Sequence, residues 1–75
     1  MKFYATFGYG HLLRDCYVTI EATDDYAARE LMHEAYGRVW SFMYKEEEYE
    51  RCIARYELTE VPFGTPNKRL AEYDD

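Results

Sequence analysis

A chain of 75 residues makes one domain, near the size at which a single core only just offsets the entropy of ordering the backbone, and leaves no room for a second. Aromatic residues are 19% of the chain (nine Tyr, four Phe and Trp40), so each buried ring removes a large apolar area from water, and a hydrophobic content of 48% belongs to a folded chain, not a disordered one. The net charge of -6 disfavours direct DNA or RNA binding, which draws on Lys and Arg releasing counterions, and no apolar run approaches the roughly 20 residues of a membrane span.

From Lys2 to Phe7 the residues alternate, with Phe3, Ala5 and Phe7 on one side and Tyr4 and Thr6 on the other, which is strand periodicity. A glycine-spaced connection follows, Gly8-Tyr9-Gly10-His11-Leu12-Leu13-Arg14-Asp15, longer than a tight two-residue turn. Its extra residues therefore need contacts of their own, and its glycines are expected to supply positive φ angles. Cys16 to Ala22 alternates again, predicting Cys16, Val18, Ile20 and Ala22 inward and Tyr17, Thr19 and Glu21 outward, in an antiparallel hairpin with the first strand.

Thr23-Asp24-Asp25 is a helix start, because a side-chain oxygen there accepts free first-turn amides and negative charge suits the helix dipole. The helix is predicted to reach Tyr36, with Ala28, Leu31, Met32 and Ala35 as its apolar stripe and Gly37 as its stop. His33 lies off that stripe and reads as a surface residue. Arg38 to Tyr44 predicts a third strand with Trp40, Phe42 and Tyr44 on one face. Lys45 to Tyr56 predicts a second, shorter helix, with Tyr49, Cys52, Ile53 and Tyr56 at helical spacing and Glu46, Glu47 and Glu48 at its amino end. Leu58 to Val61 fits a last strand, after which Pro62, Gly64 and Pro66 interrupt regular structure.

The expected fold is a small α+β domain over residues 1–65 in ββαβαβ order, with a mostly antiparallel sheet, helices packed on one face, and a flexible polar tail at 66–75. Cys16 and Cys52 permit one disulfide at most, and the opening Met1-Lys2-Phe3 lacks a leader's apolar run, so a reducing cytoplasm is expected. With only His11 and His33 beside cysteines that lack a CxxC pair, no metal and no cofactor are expected.

Gly8-Tyr9-Gly10 lacks the third glycine of a dinucleotide fingerprint and the Gly-Lys-Ser/Thr of a P-loop. Gly8, Gly10, His11 and Arg14 nevertheless form a candidate anion or nucleotide site, since Arg offers forked donors and His titrates near neutrality. An enzyme is not expected: no nucleophile signature is present, Cys16 faces the predicted core, and carboxylates on an exposed helix end lack the pocket that would tune them. Acid is concentrated late in the chain: residues 45–75 carry nine Asp/Glu against five Lys/Arg, which favours a basic partner. The candidate partner-binding residues are Glu21, Glu46, Glu47, Glu48 and Glu50, with Tyr4 and Tyr17 as an aromatic platform on the uncovered sheet face.

The run Phe3 to His11, then Arg14 to Ala22, then Ala28-Arg29, Met32, Tyr36-Gly37 and Trp40 resembles a group of small bacteriophage-encoded proteins over roughly residues 3 to 50. That group supplies no catalytic residue to carry over. The resemblance implies a phage or mobile-element protein acting in the host cytoplasm, as a monomer or homodimer, that inhibits a defence system such as a CRISPR effector or restriction enzyme. Such an inhibitor would bind a basic host protein or nucleoprotein complex by presenting carboxylates in place of phosphates.

Overall fold

The computed structural model describes residues 1–67, with Cys52 described in its backbone only. Strands β1 (Lys2–Thr6) and β2 (Cys16–Glu21) form the expected antiparallel hairpin, in the register Phe3 opposite Ile20 and Ala5 opposite Val18. Strand β3 (Phe42–Lys45) adds antiparallel to β1, and β4 (Thr59–Glu60) adds parallel to β2. The sheet is therefore mixed, in the order β3-β1-β2-β4, with the hairpin at its centre.

Helix α1 (Asp25–Tyr36) begins where Asp24 Oδ1 accepts the Ala27 amide at 2.8 Å, and ends where Gly37 turns left-handed at φ 60°. Its buried side chains are Ala28, Met32 and Tyr36, a repeat of four, whereas Leu31 and Ala35 of the expected stripe stay exposed. Together with Phe3, Ala5, Phe7, Leu13, Val18 and Ile20 they form the larger core. Phe7 and Tyr36 meet edge to face, with ring centroids 5.2 Å apart.

The expected second helix is divided: a 3-10 turn at Glu46–Glu48, helix α2 (Tyr49–Cys52), and a second 3-10 turn at Ala54–Tyr56. The break follows Ile53, whose amide closes the last α-type bond onto the Tyr49 carbonyl before the chain tightens and reverses through Glu57 at φ 55°. This segment packs across the sheet face opposite α1, where Ile53 is fully buried against Tyr4 and Tyr17, with Tyr44, Tyr49 and Leu58 beside them. Two expectations are thereby corrected. The helices lie on opposite faces and not on one, and the face carrying Tyr4 and Tyr17 is covered, leaving those rings only 9% and 7% exposed. Strand alternation had put them on the right side of the sheet; it carried no information on what would fold over that side.

Two smaller differences have the same origin. The third strand starts at Phe42, not Arg38, so Trp40 is free of its pleat: it packs on the α1 side, with its indole N–H donating to the Gly37 carbonyl at 3.2 Å. Within the expected tail at 66–75, Asn67 is tied down on both ends of its amide, and residues 68–75 lie outside the described part.

Candidate binding groove

The Gly8–Asp15 connection is a run of tight turns. The His11 amide bonds the Gly8 carbonyl at 3.1 Å, Arg14 bonds His11 at 3.2 Å, and Cys16 bonds Leu13 at 2.9 Å. From outside the loop, Asn67 Oδ1 accepts the Leu13 amide at 3.1 Å and the Thr59 amide donates to the Asp15 carbonyl at 2.9 Å, while the Leu13 side chain is buried in the larger core. These are the contacts that a long connection requires. The glycines do not act through positive φ: among glycines only Gly37 and Gly64 adopt it. Gly8 packs closely instead: a Cβ there would stand 2.9 Å from Ser41 Oγ, so the serine hydroxyl would have to turn aside.

Where β1 runs into this loop, a groove of about 410 Å³ opens on the sheet end, bounded by Gly8, Tyr9, Arg14 and Asp15 on one side and by Phe42, Tyr44 and Tyr56 on the other. Its rim is unusually aromatic for a surface: Tyr9 is 92% exposed, Phe42 64% and Tyr56 68%. The Phe42 and Tyr44 rings lie side by side, with centroids 6.3 Å apart and planes inclined by 35°. The charged groups at the groove are Arg14 and Asp15, whose Nε and Oδ2 atoms approach to 4.0 Å.

Of the loop residues singled out by sequence, Gly8 and Arg14 reach this groove; Gly10 and His11 do not line it. The His11 ring is half-buried, its Nδ1 shielded from solvent and without a hydrogen-bond partner among the described residues. Two of the candidate carboxylates, Glu21 and Glu46, lie toward the other end of the sheet. Pairing sets Glu21 opposite Lys2 and Lys45 opposite Phe3, so Glu21 and the Glu46 turn flank the start of β1, whereas the groove lies at its end beside Thr6. Glu46, Glu47 and Glu50 are exposed. Glu48 is committed locally, its Oε1 accepting the Lys45 amide at 3.0 Å, and Glu21 stands 3.5 Å from the terminal ammonium.

The sequence reading passed over Tyr9, Asp15, Phe42 and Tyr56 as site residues, and Glu60, whose carboxylate accepts the Thr19 hydroxyl at 2.7 Å. The sequence places Phe42 on one strand face with Trp40 and Tyr44, and Tyr56 at helical spacing with Tyr49, Cys52 and Ile53. Both are exposed, Phe42 on the strand face it shares with Tyr44 and Tyr56 beyond the break after Ile53, and that break has no sequence signal of its own.

Beneath α2 the phenols are strongly perturbed. The Tyr17 hydroxyl bonds that of Tyr49 at 3.2 Å, and this bond, with burial behind it, pushes the Tyr17 phenol far up. Burial raises the Tyr4 phenol, with the nearby Glu46 carboxylate adding to it, and burial also raises the Cys16 thiol. Among the described residues no three His, Cys, Asp or Glu side chains gather as a metal site, and no helix is long and apolar enough to cross a membrane. Comparison with protein-family models, with curated proteins and with solved structures gives no match.

Proposed function

We propose that this protein is a non-enzymatic binding module for a basic protein partner, in which an open aromatic groove makes the contact and a distant acidic end steers the approach. The observation that carries this reading is the exposure of Tyr9, Phe42 and Tyr56 around one concavity. Large aromatics are costly to leave in water, and Tyr and Arg dominate the energetics of protein interfaces. The net charge of -6 sets the sign of the partner. Glu21 and Glu46 face solvent near the far end of β1, and Glu47 and Glu50 are exposed as well, so that together they speed encounter with a cationic surface. Tyr4 and Tyr17 drop out of the contact surface because they are covered. In the setting that the phage resemblance implies, the partner is a host defence protein whose nucleic-acid channel these carboxylates would enter in place of phosphates.

The test is capture of the partner from host lysate by the wild-type chain and by a Glu46→Lys, Glu47→Lys, Glu50→Lys variant. Glu48 is left in place because it caps its own turn. Wild-type capture is expected to weaken as salt rises, and the variant is expected to associate at least about tenfold more slowly at low salt. Equal, salt-insensitive capture by both forms would sink the electrostatic part of the reading. A second reading, a small anionic ligand at the Gly8–Asp15 loop, has in its favour that Gly8 and Arg14 line the groove. It is the weaker one, because Arg14 already has a carboxylate beside it and His11 does not line the groove.

A further inference from the structure

Building on the reading of a basic partner, we infer that the groove between the Gly8–Asp15 loop and the Phe42–Tyr56 rim is a receptor for an arginine side chain of that partner. The groove combines a volume of about 410 Å³, an aromatic lining that includes Tyr9, Phe42, Tyr44 and Tyr56, and the carboxylate of Asp15, whose side chain is 82% exposed. The negative face of an aromatic ring attracts a cation, and several rings around one concavity form the kind of cage that holds one.

Arg14, the cation already at the groove, makes the choice of ligand sharper. Its Nε stands beside Asp15, so the pair contributes no net charge to the lining, and the long-range field is that of the whole chain at -6. An anion would approach against that field and would have to compete with Asp15 for the guanidinium. A cation approaches with the field, stacks on the rings and shares the Asp15 carboxylate, whose two oxygens can accept from both Arg14 and a second guanidinium. A planar guanidinium suits the walls better than an ammonium, since it is weakly hydrated and lies flat on Phe and Tyr faces. The groove lies at the opposite end of β1 from Glu21 and Glu46, so steering and seating use separate parts of the molecule.

The experiment is an NMR titration of the full chain with a blocked glycine-arginine-glycine peptide, its citrulline counterpart, which has nearly the same shape without the charge, and adenosine monophosphate. The arginine peptide is expected to give saturable shifts at the amides of Gly8, Tyr9, Asp15 and Phe42, with citrulline at least about fivefold weaker. Phe42→Ala and Tyr56→Ala, both at exposed positions that leave the cores intact, are each expected to weaken arginine binding by about two- to fivefold. Asp15→Asn is expected to weaken it as well. Equal response to arginine and citrulline, preferential response to the nucleotide, or no response at these amides would each overturn the inference. If such a result is accompanied by lysate capture that Glu46→Lys, Glu47→Lys, Glu50→Lys still slows, the groove fails while the basic partner stands.

Discussion

Asn67 is the residue that ties the loop to the segment after α1. Its Oδ1 accepts the Leu13 amide at 3.1 Å, and its Nδ2 donates to the Val39 carbonyl at 2.6 Å, joining the Gly8–Asp15 loop to the segment that follows α1 across 54 and 28 residues of sequence. The Asn amide carries an acceptor and a donor on separate atoms of one short side chain, as a peptide group does, so Asn67 stands in for a stretch of backbone pairing. Nearby, the Tyr36 hydroxyl accepts the Gly64 amide at 2.9 Å and the Phe63 ring packs edge-on to Tyr36, which fixes the approach to Asn67. Asn67→Ala strands a part-buried amide and a part-buried carbonyl together. The expected loss is about 1–3 kcal/mol, read as a lower denaturant midpoint at unchanged slope. A midpoint that does not move would show that the strap over Leu13 is dispensable.

At the level of elements, α1 and the covering segment at 46–56 make opposite cases. Helix α1 was legible because its signals are local: an Asp24 cap, an apolar repeat and Gly37 each act within a few residues of where they stand. The second segment shows the same kind of apolar spacing, yet it breaks after Ile53, because what decides its shape is the fit of Tyr49 and Ile53 against Tyr4 and Tyr17 on the sheet. None of its three helical pieces exceeds four residues, too short to be stable without that packing. Ile53 is its fully buried anchor. Ile53→Ala is therefore expected to cost about 2–5 kcal/mol by the lost transfer free energy and the cavity left behind. The loss should appear together with freer exchange of the Ile53 and Glu57 amides, whose bonds to Tyr49 and Ala54 hold the segment in shape. A loss below about 1 kcal/mol would mean that this face is not a core at all.

For the molecule as a whole, alternation in β1 and β2 reported correctly which side chains share a face, and so most of the larger core could be written from the sequence. Whether the other face is open or closed is a long-range fact, and with it went the tyrosine platform and the location of the groove. Three phenols are raised from the ordinary 10.0, Tyr4 and Tyr17 under the covering segment and Tyr36 in the core beneath α1: Tyr17 chiefly through its bond to Tyr49, Tyr4 and Tyr36 chiefly through burial. Each titrates higher in the folded chain than in the unfolded one, so its neutral form favours folding. The contribution is fully present below pH 10 and is lost as pH climbs past the unfolded value toward the folded one, where the unfolded chain has shed a proton that the fold retains. Stability should therefore fall steeply in alkali and not near neutrality, with each such phenol adding up to about 1.4 kcal/mol per pH unit to the slope. Tyr17→Phe removes the most displaced of the three: it is expected to be less stable near neutrality, through the lost bond to Tyr49, yet to lose stability more gradually above pH 10. Denaturant midpoints measured alongside tyrosinate absorbance across that range check both halves, and parallel decline of variant and wild type would place the alkaline sensitivity elsewhere than the Tyr17–Tyr49 pair.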